Sequence, residues 1–131
     1  MIDYRKNVSL DTAEVIRVFD SSGIRRPTQD PARIARMFET SNLIFSAWDA
    51  GKLVGLARAL TDFSYCCYLS DLAVDRDFQR RGIGRELIRR IQEEIGGEVS
   101  LILLSAPGAM SYYPTLAFSR IENGFIVNRV R

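Results

Sequence analysis

The chain has 131 residues, 47% of them hydrophobic, carries a net charge of +2 and contains no histidine. That length supports one domain, residues 1–131, with a core that needs neither disulfide nor metal, and the near-neutral charge gives a general nucleic-acid role no support. The missing histidine excludes Ser-His-Asp and Cys-His catalysis and His-ligated zinc.

Ile2–Lys6 reads as a short strand. Met1–Lys6 has no apolar h-region, so no signal peptide is expected. Ser9 or Asp11 is placed to cap a helix over Leu10–Ser21, whose apolar side is Ala13, Val15, Ile16, Val18 and Phe19 and which ends at Ser22-Gly23. Residues 24–30 form a basic loop with Arg25 and Arg26, and Asp30-Pro31 opens a second helix with Ile34, Met37 and Phe38 inward. Leu43–Trp48 and Leu53–Leu60 are strands joined by the turn Asp49-Ala50-Gly51-Lys52. Cys66 and Cys67 open the next strand, 66–74. Neighbours on a strand point to opposite faces, so the pair is expected to be reduced and the protein cytoplasmic. No apolar run is long enough for a membrane span.

After Val74 come four arginines, Arg76, Arg80, Arg81 and Arg85, with Gly82 and Gly84 among them. Ile83, Leu87, Ile91 and Ile95, with Ile88 beside them, then recur at helical spacing, and Glu86–Arg90, Arg89–Glu93 and Arg90–Glu94 are candidate pairs on the wet side. Residues 99–104 are an apolar run of buried-strand type, 109–116 a short helical segment, and Asn123-Gly124 marks a hairpin between 118–122 and 125–130. Strand 125–130, left at an edge, offers a route to a homodimer. The order β-α-α-β-β-β-α-β-α-β-β describes an α/β or α+β layer fold in which 66–74 and 99–104, joined through a helix, run parallel.

A strand that feeds a glycine-containing turn and a helix points N–H groups and the positive helix end at one spot, which suits an anion such as phosphate. The spacing is neither the Rossmann fingerprint nor a P-loop, and an ordinary solvated turn fits these residues equally well.

Gln79-Arg80-Arg81-Gly82-Ile83-Gly84 matches the Gln/Arg-x-x-Gly-x-Gly/Ala signature of the GNAT family of N-acetyltransferases. Tyr68–Val74 resembles that family's fourth strand, and Ser111–Phe118 its Phe-Tyr-x-x-Leu-Gly-Phe segment. The resemblance implies a mixed, mostly antiparallel sheet with helices on both faces and a splayed parallel pair, 66–74 and 99–104. It implies acetyl-CoA as co-substrate, no metal and no nucleic acid, and an amine acceptor. By the same resemblance Gln79, Arg80, Arg81, Gly82, Ile83, Gly84 and Arg85 hold the pyrophosphate, Leu72, Ala73 and Val74 line the pantetheine arm, and Tyr113 protonates the leaving thiolate. Asp71 is the candidate base, direct or through water, and a satisfied aspartate that caps a neighbouring loop fits the position equally well. Strand alternation puts it on the face of Ala73, with Ser70 opposite, and a mid-strand carboxylate in an apolar run has reason to hold a raised pKa. The chain departs from the family at Ala106, where an asparagine is usual, and at Ala117, where a glycine is usual. The acceptor side is expected from loop 23–30, Trp48 or Arg58 and the last hairpin; Arg25, Arg26 and Arg58 fit either an acidic group on the acceptor or surface charge, and are read as surface charge. An acyl-CoA-binding module with little catalysis is the rival reading.

Overall fold

In the computed structural model, which describes residues 1–131, the strand-forming runs pair in chain order. Strands β1 (Ile2–Lys6), β2 (Leu43–Asp49), β3 (Lys52–Thr61), β4 (Cys66–Val74) and β5 (Ser100–Leu103) make one sheet, β1-β2-β3-β4-β5. The first four are antiparallel neighbours, and β5 runs parallel to β4. Helices α1 (Thr12–Ser22) and α2 (Pro31–Glu39) cover one face, burying Val15, Val18, Phe19 and Ile34 against Leu53, Leu56 and Ala73. Helix α3 (Ile83–Ile95) covers the other, with the predicted stripe Ile83, Leu87, Ile88, Ile91 and Ile95 wholly inside.

Local chemistry sets the boundaries. Asp11, rather than Ser9, accepts the Ala13 N–H at 3.3 Å, so α1 begins two residues later than its apolar pattern. Asp30 accepts the Arg33 N–H at 3.1 Å with Pro31 in the first position of α2. Ala50 and Gly51, at φ of 48° and 82°, form the left-handed two-residue turn that matches strand twist. On α3, Glu86 takes both Arg89 and Arg90 at 2.8 and 2.7 Å, while Glu94 bonds Lys6 instead of the expected Arg90.

Two features of β4 decide the site. Its pairing with β5 stops at Leu69↔Leu103, whereas its pairing with β3 continues to Gly55↔Val74. The register also slips between Arg58↔Asp71 and Ala59↔Leu69, leaving Ser70 as the extra residue of a bulge. Simple alternation sends Ser70 to the face opposite Asp71. The bulge instead brings its hydroxyl to Arg58, on the Asp71 side.

The C-terminal hairpin is not formed. Residues 118–122 and 125–130 are in no strand, Gly124 lies outside the left-handed region that a type I′ turn requires, and Phe125, Val127 and Val130 are fully exposed. Asn-Gly favours the turn locally, but an isolated hairpin is marginal without a sheet to lean on. The expected edge strand 125–130 is therefore absent from the sheet. The helical segment 109–116 is replaced by two 3₁₀ turns, Pro107–Ala109 and Tyr113–Leu116, each with a proline near its start. No helix is long and apolar enough to cross a membrane.

Candidate active site

Beyond Leu69, one edge of β4 has no strand beside it. The Asp75 N–H donates to Val54 O at 2.8 Å, which fixes the phase of the antiparallel ladder. Asp71, Ala73 and Asp75 therefore direct their main-chain groups to β3, and Leu72 and Val74 present theirs to the side that β5 has left. Ala73 lies between them with its main chain committed to β3 and its methyl group in the α1 and α2 core. The Val74 carbonyl accepts from Gln79 Nε2 at 3.0 Å, tying the signature loop to the strand end.

The loop bonds its own N–H groups as far as Gln79 and leaves those beyond without a partner in the protein. Asp75 caps a 3₁₀ turn, Arg76–Phe78, by accepting the Asp77 N–H at 2.9 Å. Arg80 and Gly82 are both left-handed, at φ of 64° and 81°. Arg80 carries the strain that a non-glycine residue has there, whereas Gly82 enters α3 without it. The first bond of the helix is Glu86 N–H to Gly82 O at 3.0 Å, and no side chain caps the turn. The N–H groups of Ile83, Gly84 and Arg85 thus form the open positive end of a 13-residue helix. A Cβ on Gly84 would stand 2.9 Å from the Tyr112 hydroxyl, so only glycine leaves that ring in place. The Arg81 guanidinium lies over Phe78 at 4.9 Å, which gives it a packing role.

Tyr113 begins the 3₁₀ turn Tyr113–Leu116, with its ring edge-on to Tyr112 and Phe118 at 5.3 and 5.5 Å. Burial and the neighbouring Tyr112 push its phenol above the ordinary value, against a smaller lowering by Arg26. The Tyr112 phenol is also raised by burial, with Arg85 opposing.

Asp71 has no exposed surface, and both of its oxygens are engaged. Arg26 Nε donates to Oδ1 and Arg58 Nε to Oδ2, each at 2.5 Å. Arg58 also reaches Ser41 Oγ at 3.0 Å and Ser70 Oγ at 2.9 Å, and Arg26 reaches the Ser70 carbonyl at 2.6 Å. Arg58 and Arg26 are therefore not surface charge. Arg58 is 7% exposed, and the Arg26 side chain is 25% exposed. Asp71 meets the expectation of a mid-strand carboxylate facing the Ala73 side, but its geometry is that of a counter-ion. The signal was present in the sequence: Arg58 and Asp71 each interrupt an apolar strand, and a buried charge needs a partner. They are direct cross-strand neighbours.

Of the other expected residues, Trp48 donates to Ser46 Oγ and stacks under Arg5, two strands from the split. Asp75, which sequence reasoning passed over, ties the end of β4 to α1 through Arg17 at 2.9 Å and Ser21 at 3.3 Å. Burial raises its pKa, but the Asp77 N–H and Arg17 outweigh that and hold it below the usual value. A wide surface hollow of about 690 Å³ is lined by α1, Arg76 and Asp77 and includes none of Leu72, Gly84 or Tyr113. The split has the better claim, because there the uncapped start of α3 and the edge of β4 beyond β5 meet.

A free strand edge that leads into a cradle of N–H groups has the shape and polarity that suit an extended ligand with an anionic head. The acetyltransferase (GNAT) domain profile matches residues 14–131. The uncharacterized N-acetyltransferase ycf52 of Pyropia yezoensis is 30% identical over 125 residues, covering 90% of this chain and 70% of that one. The ribosomal-protein-S18-alanine N-acetyltransferase of Escherichia coli shares the fold with a TM-score of 0.76 at 22% identity, covering 93% of this chain and 80% of that one. The aminoglycoside N-acetyltransferase AAC(6')-Iy in complex with CoA shares it with a TM-score of 0.71 at 16% identity, covering 100% and 96%. The chain belongs to the GNAT acetyltransferase family, and it is an acetyl-transferring enzyme.

Proposed function

We propose that this enzyme transfers the acetyl group of acetyl-CoA to a primary amine, of a small molecule or a protein, by direct attack of the amine on the thioester. The observation that carries the reading is the continuity of the free β4 edge at Leu72 and Val74 with the unpaired N–H groups at the start of α3. The CoA bound in the structurally similar AAC(6')-Iy supports it.

Acetyl-CoA supplies the acetyl group in activated form, as a thioester. The residues Gln79–Arg85 fit its pyrophosphate, with the N–H groups of the helix end as donors and Arg80 and Arg85 as exposed charges beside them. Leu72 and Val74 fit its pantetheine arm as an added strand, which orients the acetyl group toward the bulge at Ser70. Tyr113 gives its proton to sulfur as the C–S bond breaks, and its raised pKa keeps the phenol protonated through the neutral range. The amine loses its own proton to water as the C–N bond forms, because both Asp71 oxygens are held by guanidinium groups. The test is a screen of primary amines with acetyl-CoA that reads released thiol. Turnover of an amine supports the reading, and hydrolysis of acetyl-CoA at the same rate with and without every amine contradicts it.

A further inference from the structure

The charges at the split do not balance. Asp71 is met by two guanidinium groups, and no second acid bonds to the cluster. Arg58 is the natural partner of Asp71: it lies across the ladder, is buried under Phe38, and directs one further donor each to Ser41 and Ser70. Together the two form a neutral buried pair. Arg26 is then a surplus cation, contributed by the loop between α1 and α2.

Its position gives that charge a use. Arg26 holds the carbonyl of Ser70, the first residue of β4 past the last pair with β5, so it sits where the sheet begins to open. Nε, Nη1 and Nη2 each make one hydrogen bond within the protein, and a guanidinium has five N–H donors, so two remain. The adjacent Arg25 is exposed and has the same sign.

We propose that the acceptor is a primary amine bearing a neighbouring carboxylate, and that Arg26 receives that carboxylate. This rests on the acetyl-transfer reading above. A surplus, partly exposed cation attracts a carboxylate, for which a guanidinium offers paired donors, and repels an ammonium group. It therefore favours the zwitterion of an amino acid, or a peptide with an acidic residue beside its amine, over a polyamine. The same field lowers the pKa of the bound amine and so assists its deprotonation.

The test measures thiol release from acetyl-CoA with matched sets of acceptors: free amino acids, their amides, the corresponding decarboxylated amines, an acidic tripeptide and spermidine. The expected result is that a carboxylate-bearing acceptor exceeds its amide and its decarboxylated amine at least about tenfold in kcat/KM, the size of one charge-assisted contact. The free amino acid and the acidic tripeptide then tell which source of carboxylate is used. Arg26→Gln, which leaves the Arg58–Asp71 pair intact, should erase the preference with acetyl-CoA affinity unchanged, and Arg26→Lys should restore part of it. Equal or better use of amides or spermidine overturns the inference. So does a preference that survives Arg26→Gln, or acetyl-CoA binding with no turnover of any carboxylate-bearing acceptor. Failure of acetyl-CoA to bind at all instead overturns the acetyl-transfer reading beneath it.

Discussion

At Tyr113 the pKa lies above its ordinary value of 10.0, with burial the main cause. The acid form is therefore lost only as pH rises through a value above 10.0, and the rate should hold until then and fall beyond it. Tyr113→Phe should lower kcat by about 10²–10⁴-fold with acetyl-CoA affinity nearly unchanged, and the alkaline limb should go with it. A variant of unchanged thermal midpoint with kcat within a few-fold of wild type would move the proton donor elsewhere. Asp71 calls for a different experiment. Removing it by Asp71→Ala leaves Arg58 buried and unpaired, a loss of about 3–5 kcal/mol in chemical denaturation. An Asp71→Ala protein of wild-type stability but without activity would restore the carboxylate to the role of base. The pairing was half legible in the sequence, since charges inside apolar strands announce partners. Which residues partner them depended on the bulge at Ser70, and a bulge leaves no mark in an alternating pattern.

The unit formed by β4, the loop and α3 was the most legible element, because its apolar stripe, its two glycines and its strand all lie within one local stretch. Its expected sensitivity is equally local. Gly84→Glu places a Cβ against Tyr112 and a negative charge at the positive end of α3, so acetyl-CoA binding should fall below detection in calorimetry while circular dichroism stays native. Unchanged affinity in a folded Gly84→Glu protein would put the anion site elsewhere. The C-terminal hairpin shows the opposite case. Asn123-Gly124 is a strong local signal, but a strand is completed only by its neighbour, and neither 118–122 nor 125–130 finds one in the sheet.

For the molecule as a whole, layer order and the parallel pair followed from the alternation of elements, whereas the depth of the split followed from where β5 stops. Stability should depend on pH through groups far from that split. Asp62 accepts the N–H groups of Ser64, Tyr65 and Cys66 and is lowered to about 2. Glu86 is lowered to about 2, chiefly by Arg89, with burial opposing and Arg90 adding to the effect. Depressed carboxylates stabilise above their unfolded values of 3.8 and 4.5, and that contribution is lost as pH falls toward about 2. At the other end, burial raises Cys67 and Tyr4 from 9.0 and 10.0, so their contribution fades as pH rises past those values. Thermal midpoints should therefore be level between roughly pH 5 and 9 and fall on both sides. Asp62→Asn together with Glu86→Gln should flatten the acid limb, and an acid limb unchanged in that double variant would assign it to other groups.

The central claim is that two neighbouring sets of main-chain groups, the β4 edge at Leu72 and Val74 and the unpaired N–H groups of Arg80–Arg85, receive acetyl-CoA. Amide hydrogen exchange followed by NMR, with and without saturating acetyl-CoA, tests it residue by residue. The account predicts slowed exchange at Leu72, Val74 and Arg80–Arg85, with Ala73, already bonded to β3, unchanged. Saturation of the protein with those amides unaltered, or protection confined to the hollow around Arg17 and Arg76, would contradict it.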